Sequence, residues 1–166
     1  WSQVEPKIFE LMRSTDSFDL NTTLSIPAST IAIILSPMMF HDQIALQLKN
    51  FCKAVKKEYG SWKCLEGNLV NVDVFETFER LKRYANCRLT FKNLAAMKII
   101  VGMQNEFVIL DSHIGAVLGI QKHRLNSYRT NERRFRELLE FCGSVTNELK
   151  REGLNNISTA EWSLAV

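Results

Sequence analysis

Residues 42–59 read DQIALQLKNFCKAVKKEY, and this stretch indicates the fold class more clearly than any other. Its apolar side chains recur at steps of three and four residues, which is the spacing of one face of an α-helix. These side chains are Ile44, Leu48, Phe51, Cys52, Val55 and Tyr59. The other face is filled by lysines, namely Lys49, Lys53, Lys56 and Lys57. Gly60 follows directly and is typical of a helix end. The stretch therefore predicts an amphipathic helix with one face against a core.

Helical spacing also dominates the rest of the chain. We predict further helices over 5–13, 28–35, 74–87, 91–104, 112–129 and 131–152. Polar residues fill 14–27 and predict a loop there. Asp73, Thr90 and Asp111 precede three of these helices, and their side chains suit the capping of free backbone N–H groups.

One segment differs in kind from the helical stretches. Residues 61–72 read SWKCLEGNLVNV, with apolar residues on both sides of Glu66-Gly67-Asn68. Because Gly and Asn tolerate positive φ, this segment predicts a short β-hairpin.

The composition fits one compact domain. The chain has 166 residues, of which 46% are hydrophobic and 23% charged, so enough apolar side chain is present to offset the entropy of ordering it. The longest purely apolar run, residues 31–35, is far below the ~18 residues that a membrane span needs. We predict a single all-α domain of six or seven helices over 1–166. Because the sequence starts at Trp1 and not at Met, we expect it to be a segment of a longer protein.

Positive charge is concentrated in residues 121–136, although the net charge of the chain is only +3. This segment sets one acid, Glu132, against six bases. The basic residues are Lys122, Arg124, Arg129, Arg133, Arg134 and Arg136. They could meet phosphate or an acidic partner, or they could form a solvated helical corner. The modest total charge speaks against direct nucleic-acid binding.

The sequence contains no pattern that supports an enzyme. Phosphate-binding glycine loops, H-E-x-x-H and G-x-S-x-G are all absent, and no C-x-x-C supports a metal site. His41-Asp42 could serve acid–base chemistry, but an aspartate at this position more often caps the following helix. We expect a protein that is not an enzyme and has no cofactor or metal.

Cys52 and Cys142 fall on apolar helix faces, which predicts reduced, buried thiols in an intracellular protein. Two glycosylation triplets, at 21–23 and 156–158, leave a secreted helical bundle as an alternative.

Apolar residues are in surplus in three places, at 31–34, 38–40 and 97–103. Such a surplus lines a cavity or a docking groove in some proteins and is ordinary core in others.

Three short segments, which we call sequence islands, are similar to parts of one protein family and follow one another in the same order as in that family. Residues 40–49, FHDQIALQLK, resemble a D-Q-x-x-L-L-K signature. Residues 88–101 resemble the pattern L-T-x-x-E-x-x-x-L-K-A-I-V, and residues 134–139, RFRELL, resemble R-F-x-x-L-L. Together they resemble the ligand-binding domain of nuclear hormone receptors, in which a small β-element falls near 61–72.

The resemblance implies a three-layer helical sandwich in a nuclear transcription regulator. Its apolar interior would hold a lipophilic ligand or be filled by its own side chains. A groove for a partner's amphipathic helix would involve Gln43, Leu46 and Lys49. A helix that forms homodimers or heterodimers would carry Arg134, Phe135, Leu138 and Leu139. The alternative is an all-α adaptor or scaffold module of another family that also binds a partner helix.

Overall fold

The computed structural model describes residues 3–84, 89–100, 107–155 and 157–160. Every regular element in these ranges is a helix, so the predicted all-α class is confirmed. These ranges hold ten α-helices and one 3-10 turn, and the prediction of six or seven helices was therefore too low. Several of the helices have only six or seven residues, too few to display a helical period in the sequence.

The helices are numbered in the order in which they follow one another along the chain. They are α1 (Glu5–Ser14), α2 (Leu20–Ser25), α3 (Ala28–Ile34), α4 (His41–Tyr59), α5 (Trp62–Asn71), α6 (Val74–Lys82), α7 (Phe91–Ile100), α8 (Ser112–Val117), α9 (Leu125–Thr130) and α10 (Glu132–Arg151). The 3-10 turn, Lys122–Arg124, precedes α9. The predicted helix ends at 87 and 104 lie outside the described residues, as do Cys87, Arg88, Val101 and Asn156.

The chain divides into two compact units. The first is drawn from Trp1–Gly67 and Arg80–Arg88, and the second from Asn68–Glu79 and Leu89–Val166. The division falls within α5 and α6. Each unit has its own buried apolar side chains.

The core of the first unit forms where α3 packs against α4, with α2 also against α4 and α1 against α3. Its buried members are Leu11, Ile31, Ala32, Ile34, Leu35 and Ala45. The Trp62 indole N–H donates to the carbonyl oxygen of Phe18 at 2.7 Å, which ties the start of α5 to the connection between α1 and α2. The apolar residues at 31–34 are thus mostly ordinary core, although Ile33 is exposed.

The second unit is built around four phenylalanine rings. Phe91 of α7 lies at the centre, with its ring centroid 4.1 Å from that of Phe78, 5.0 Å from Phe75 and 5.3 Å from Phe135. Tilted and offset ring pairs of this kind add to the stabilisation that burial provides. The cluster fixes the N-terminal half of α10 against α6 and α7.

The β-hairpin predicted over residues 61–72 is wrong, because this segment forms α5. Leu65 and Leu69 are both buried and lie four residues apart, which is helical spacing. The pair Gly67-Asn68 between them had suggested a turn instead. The Ser61 hydroxyl accepts the Cys64 N–H at 3.2 Å and so caps the first turn. Gly67 has no positive φ, so the conformation for which glycine is suited is not used there.

Two further boundaries were wrong. The predicted loop at 14–27 contains α2, whose start is capped by the Asp19 carboxylate accepting from the Thr22 N–H at 2.8 Å. The single helix predicted over 112–129 is instead α8, the 3-10 turn and α9. It is broken at Gly119, which has φ +69°, a conformation that glycine adopts without steric cost.

The predicted caps Asp73, Thr90 and Asp111 are confirmed, each accepting a backbone N–H near its helix start.

The thiols of Cys52 and Cys142 are free and fully buried, as predicted, whereas Cys64 is exposed. Burial raises the pKa of both buried thiols to about 11. At pH 8 only about one such thiol in a thousand is then ionised, and the thiolate is the reactive species.

We expect iodoacetamide at pH 8 to modify Cys64 rapidly and Cys52 and Cys142 roughly a hundredfold more slowly, because the buried thiols are neutral and shielded. Cys87 lies outside the described residues, so the experiment uses the Cys87→Ser protein. Mass spectrometry of peptides gives the rate at each site. Modification of Cys142 at the Cys64 rate under native conditions would contradict the packing of α10, and full modification in urea is the control.

Candidate functional site

Three large apolar side chains lie at the surface where α3 connects to α4. Met39 is 78% exposed, Phe40 is 65% exposed and Leu46 is 55% exposed, whereas nearby Ala45 is fully buried. Gln43 is also exposed. Gln43 and Leu46 lie three residues apart on α4 and are therefore neighbours on its surface, and Met39 and Phe40 directly precede the helix. We call Met39, Phe40, Gln43 and Leu46 the α4 apolar surface.

Phe40 occupies the N-cap position of α4 in a left-handed conformation, with φ 61° and ψ 28°. A bulky residue rarely adopts this conformation, which costs on the order of 1–3 kcal/mol. No side chain caps this helix start, so the prediction that Asp42 is the cap was wrong. Asp42 lies in the first turn, where its charge still favours the N-terminal end of the helix dipole.

The exposed side of α4 beyond the apolar surface is basic. Lys53, Lys56 and Lys57 are exposed, and Lys53 lies seven residues after Leu46 on the same helix face. Glu58 is partly buried and accepts a hydrogen bond from the Tyr84 hydroxyl at 3.0 Å. The α4 apolar surface is therefore followed along the helix by positive charge.

Lys49, the third residue predicted for a partner groove, is buried in the first unit. Its ammonium donates to the backbone carbonyl oxygens of Thr23, Leu24 and Ile26 at 3.2, 2.5 and 2.5 Å. These carbonyls close the C-terminal end of α2, where a helix leaves its acceptors without intrahelical donors. Burial lowers the pKa of Lys49. Of the three predicted groove residues, Gln43 and Leu46 are at the surface, and Lys49 holds α2 in place.

The four residues predicted for a dimerisation helix all lie on α10, but they face different surroundings. Phe135 and Leu138 are buried in the core of the second unit, Leu139 is half-buried and Arg134 is exposed. The Arg134 guanidinium donates to the Ser127 hydroxyl at 2.6 Å.

Apart from Arg134, the five basic residues of the 121–136 cluster are distributed over three elements. Lys122 and Arg124 are exposed on the 3-10 turn. Arg129 of α9 donates from Nε to the Leu110 carbonyl oxygen at 2.9 Å. On α10, Arg133 pairs with Glu137 at 3.0 Å and Arg136 pairs with Glu132 at 2.8 Å. Arg129, Arg133 and Arg136 are therefore already bound to acceptors of the same chain.

A broad depression of about 1060 Å³ lies beside α1 in the first unit, and Phe9, Met12 and Asp16 are among its lining residues. It contains none of the residues predicted from the sequence for a site. Asp16 and Ser17 belong to a run with positive φ that extends to Phe18.

The sequence singled out Met39 and Phe40 only as part of an apolar surplus, and it gave no sign of a role for Lys98 that the prediction used. This lysine interrupts an apolar stretch of α7 and is buried, and its position among apolar neighbours is the signal that could have found it.

Comparison of the chain with family models, with curated protein sequences and with solved structures found no match in any of the three. Within the described ranges, no helix is both long enough and apolar enough to cross a membrane. The same part of the chain has no cluster of three or more His, Cys, Asp or Glu side chains suited to a metal ion. The described part of the chain is thus all-helical, with an exposed apolar surface at the start of α4.

Proposed function

We propose that this chain is a protein-binding module, without enzymatic activity, that receives an amphipathic helix of a partner protein on the α4 apolar surface. The observation that supports this most directly is the exposure of Met39, Phe40 and Leu46 within eight residues of one another. Grouped exposed apolar side chains are typical of recognition sites, whereas single ones are ordinary.

The backbone at Phe40 supports the same proposal. Phe40 has a strained, left-handed backbone and is 65% exposed, so little burial offsets the strain, and strained residues are frequent at recognition sites. An apolar partner surface would cover this ring and Met39, whose flexible thioether adapts to irregular apolar partners.

Charge complementarity indicates what kind of helix binds. Lys53, Lys56 and Lys57 extend α4 beyond Leu46, so a partner helix with apolar anchors at i, i+3 and i+4 and with acidic flanking residues fits best. The wider role, in transcription regulation in the nucleus with a lipophilic ligand or a dimer partner, is supported by the three sequence islands alone.

We expect Leu46→Asp to weaken binding of such a helix at least tenfold, because it removes an apolar anchor and adds a charge that repels acidic flanks. The probe is a stapled, fluorescein-labelled helical peptide with leucines at i, i+3 and i+4 and glutamates on its flanks. Fluorescence anisotropy measures its Kd. A second peptide with lysines in place of the glutamates should bind the wild-type protein more weakly.

Phe9→Asp is the matched control, because Phe9 is 53% exposed but lies beside α1. It should leave the peptide Kd unchanged. Equal binding by wild-type and Leu46→Asp protein, or a loss confined to Phe9→Asp, would overturn the assignment to α4. A concentration-dependent dimer that Leu46→Asp abolishes would assign the surface to a second copy instead of a partner helix.

A further inference from the structure

A cavity of about 380 Å³ lies within the second unit. It is bounded by the segment from Val70 to Phe75, by Lys98 of α7, by Phe107 and by one side of α10. Arg136 and Leu139, which the sequence placed in a basic patch and on a dimerisation helix, both line it. The volume is within the range of cavities that hold small organic molecules.

Lys98 is the most deeply buried charged group at this cavity, with 2% of its surface exposed. Its ammonium donates to the Val72 carbonyl oxygen at 2.9 Å and lies 5.8 Å from the centre of the Phe107 ring. Among the described residues, no carboxylate forms an ion pair with it. Burial lowers the pKa of Lys98, since the charged form loses hydration that one carbonyl does not replace.

The acidic residue of the cavity is already paired. The Asp73 carboxylate lies 3.4 Å from the Arg136 guanidinium, which also pairs with Glu132 and stacks 3.7 Å from the centre of the Phe75 ring. The Asp73 carboxylate also acts on Lys98 through space, but it forms its ion pair with Arg136, so the Lys98 ammonium has a nearby opposing charge and no direct carboxylate contact among the described residues. A buried cation in this state is stabilised by an anion brought from outside.

The remaining lining is mixed, because Asn71 is polar and the other side chains are apolar. Val70 and Leu139 are half-buried, and Phe107 is buried with its ring near the Lys98 ammonium. Hydrated inorganic ions gain little from these apolar side chains, whereas an organic anion with a hydrocarbon part can bury that part against them.

We propose that this cavity binds a small carboxylate that carries an apolar group. The carboxylate accepts from the Lys98 ammonium, and the hydrocarbon part lies against Val70, Phe107 and Leu139. Arg136 and Asp73, held together as a pair, form the polar rim of the site. This binding is independent of the helix-binding function proposed for α4.

Three probes test the proposal on the wild-type chain by isothermal titration calorimetry: 3-phenylpropionate, 3-phenylpropan-1-ol and inorganic phosphate. We expect 3-phenylpropionate to bind at least tenfold more tightly than either of the others, because it alone combines the negative charge with the apolar part. Equal affinity for the alcohol would overturn the role of Lys98. Equal affinity for phosphate would overturn the role of the apolar walls.

Lys98→Met keeps the length of the side chain without its charge and should reduce the preference for the carboxylate over the alcohol below twofold. Lys150→Met, on the exposed end of α10, is the matched control and should keep the full preference. Retention of the preference in Lys98→Met would overturn the proposal. If Lys98→Met does not fold, Lys98→Arg replaces it, and loss of the preference despite the retained charge would count against the proposal.

Discussion

Replacing Leu138 by aspartate is expected to lower the free energy of unfolding by about 3–5 kcal/mol, because it places a carboxylate in an apolar interior without a partner. Leu138 is only 4% exposed, and it lies between Phe135 and Cys142, which are both fully buried. The three residues follow the helical steps of α10, so the new charge cannot reach water without displacing the helix. A loss of this size is a large part of the ~5–15 kcal/mol that stabilises a domain.

Urea denaturation followed by far-ultraviolet circular dichroism measures the change. Phe141→Asp is the matched control, since Phe141 lies on the same helix but is 53% exposed, and it should change the stability by no more than about 0.5 kcal/mol. An unchanged denaturation midpoint for Leu138→Asp together with a loss of dimer would show that Leu138 contacts a second subunit and not a core.

The second large effect is expected for Lys49→Met, which should lower the free energy of unfolding by about 2–3 kcal/mol. The substitution removes charge-assisted hydrogen bonds to three carbonyls, and buried acceptors that lose their donors retain the full desolvation penalty. The six-residue α2 is too short to be stable by itself, so it depends on such tertiary contacts. We therefore expect α2 to loosen before the rest of the first unit.

Limited proteolysis with mapping of the cut sites distinguishes this local effect from global unfolding. Early cleavage should fall within residues 19–27 in Lys49→Met. Lys53→Met, one turn further along α4 at an exposed position, should resemble the wild-type protein in both stability and cleavage. Identical cleavage of Lys49→Met and Lys53→Met would mean that the hydrogen bonds of Lys49 do not hold α2.

The long helices could be predicted closely because their sequences repeat the apolar spacing over several turns. α4 begins one residue before its predicted start, and α10 lies within one residue of its predicted bounds at both ends. The caps at Asp73, Thr90 and Asp111 were also predictable, because capping is a contact between residues only a few positions apart.

The errors arose where a local signal competed with a packing requirement. Gly67-Asn68 suggested a turn, but the burial of Leu65 and Leu69 on one side favours a helix through the same residues. The resemblance to nuclear hormone receptors implied that Lys49 is a groove residue. Nothing in the sequence shows that the carbonyls of α2, more than twenty residues earlier, accept from it.

The sequence alone determined the helical class, the bounds of the long helices and their caps, because these depend on periodicity and on contacts between near neighbours. The tertiary structure decided which charged residues are internal. It buried Lys49 against α2 and Lys98 beside a cavity, and it paired Arg136 with Asp73, which lies 63 residues away in the chain. Such partners are chosen by the packing of distant segments, and for the two buried lysines the low dielectric of the interior makes the charge depend on whatever acceptor the fold brings to it.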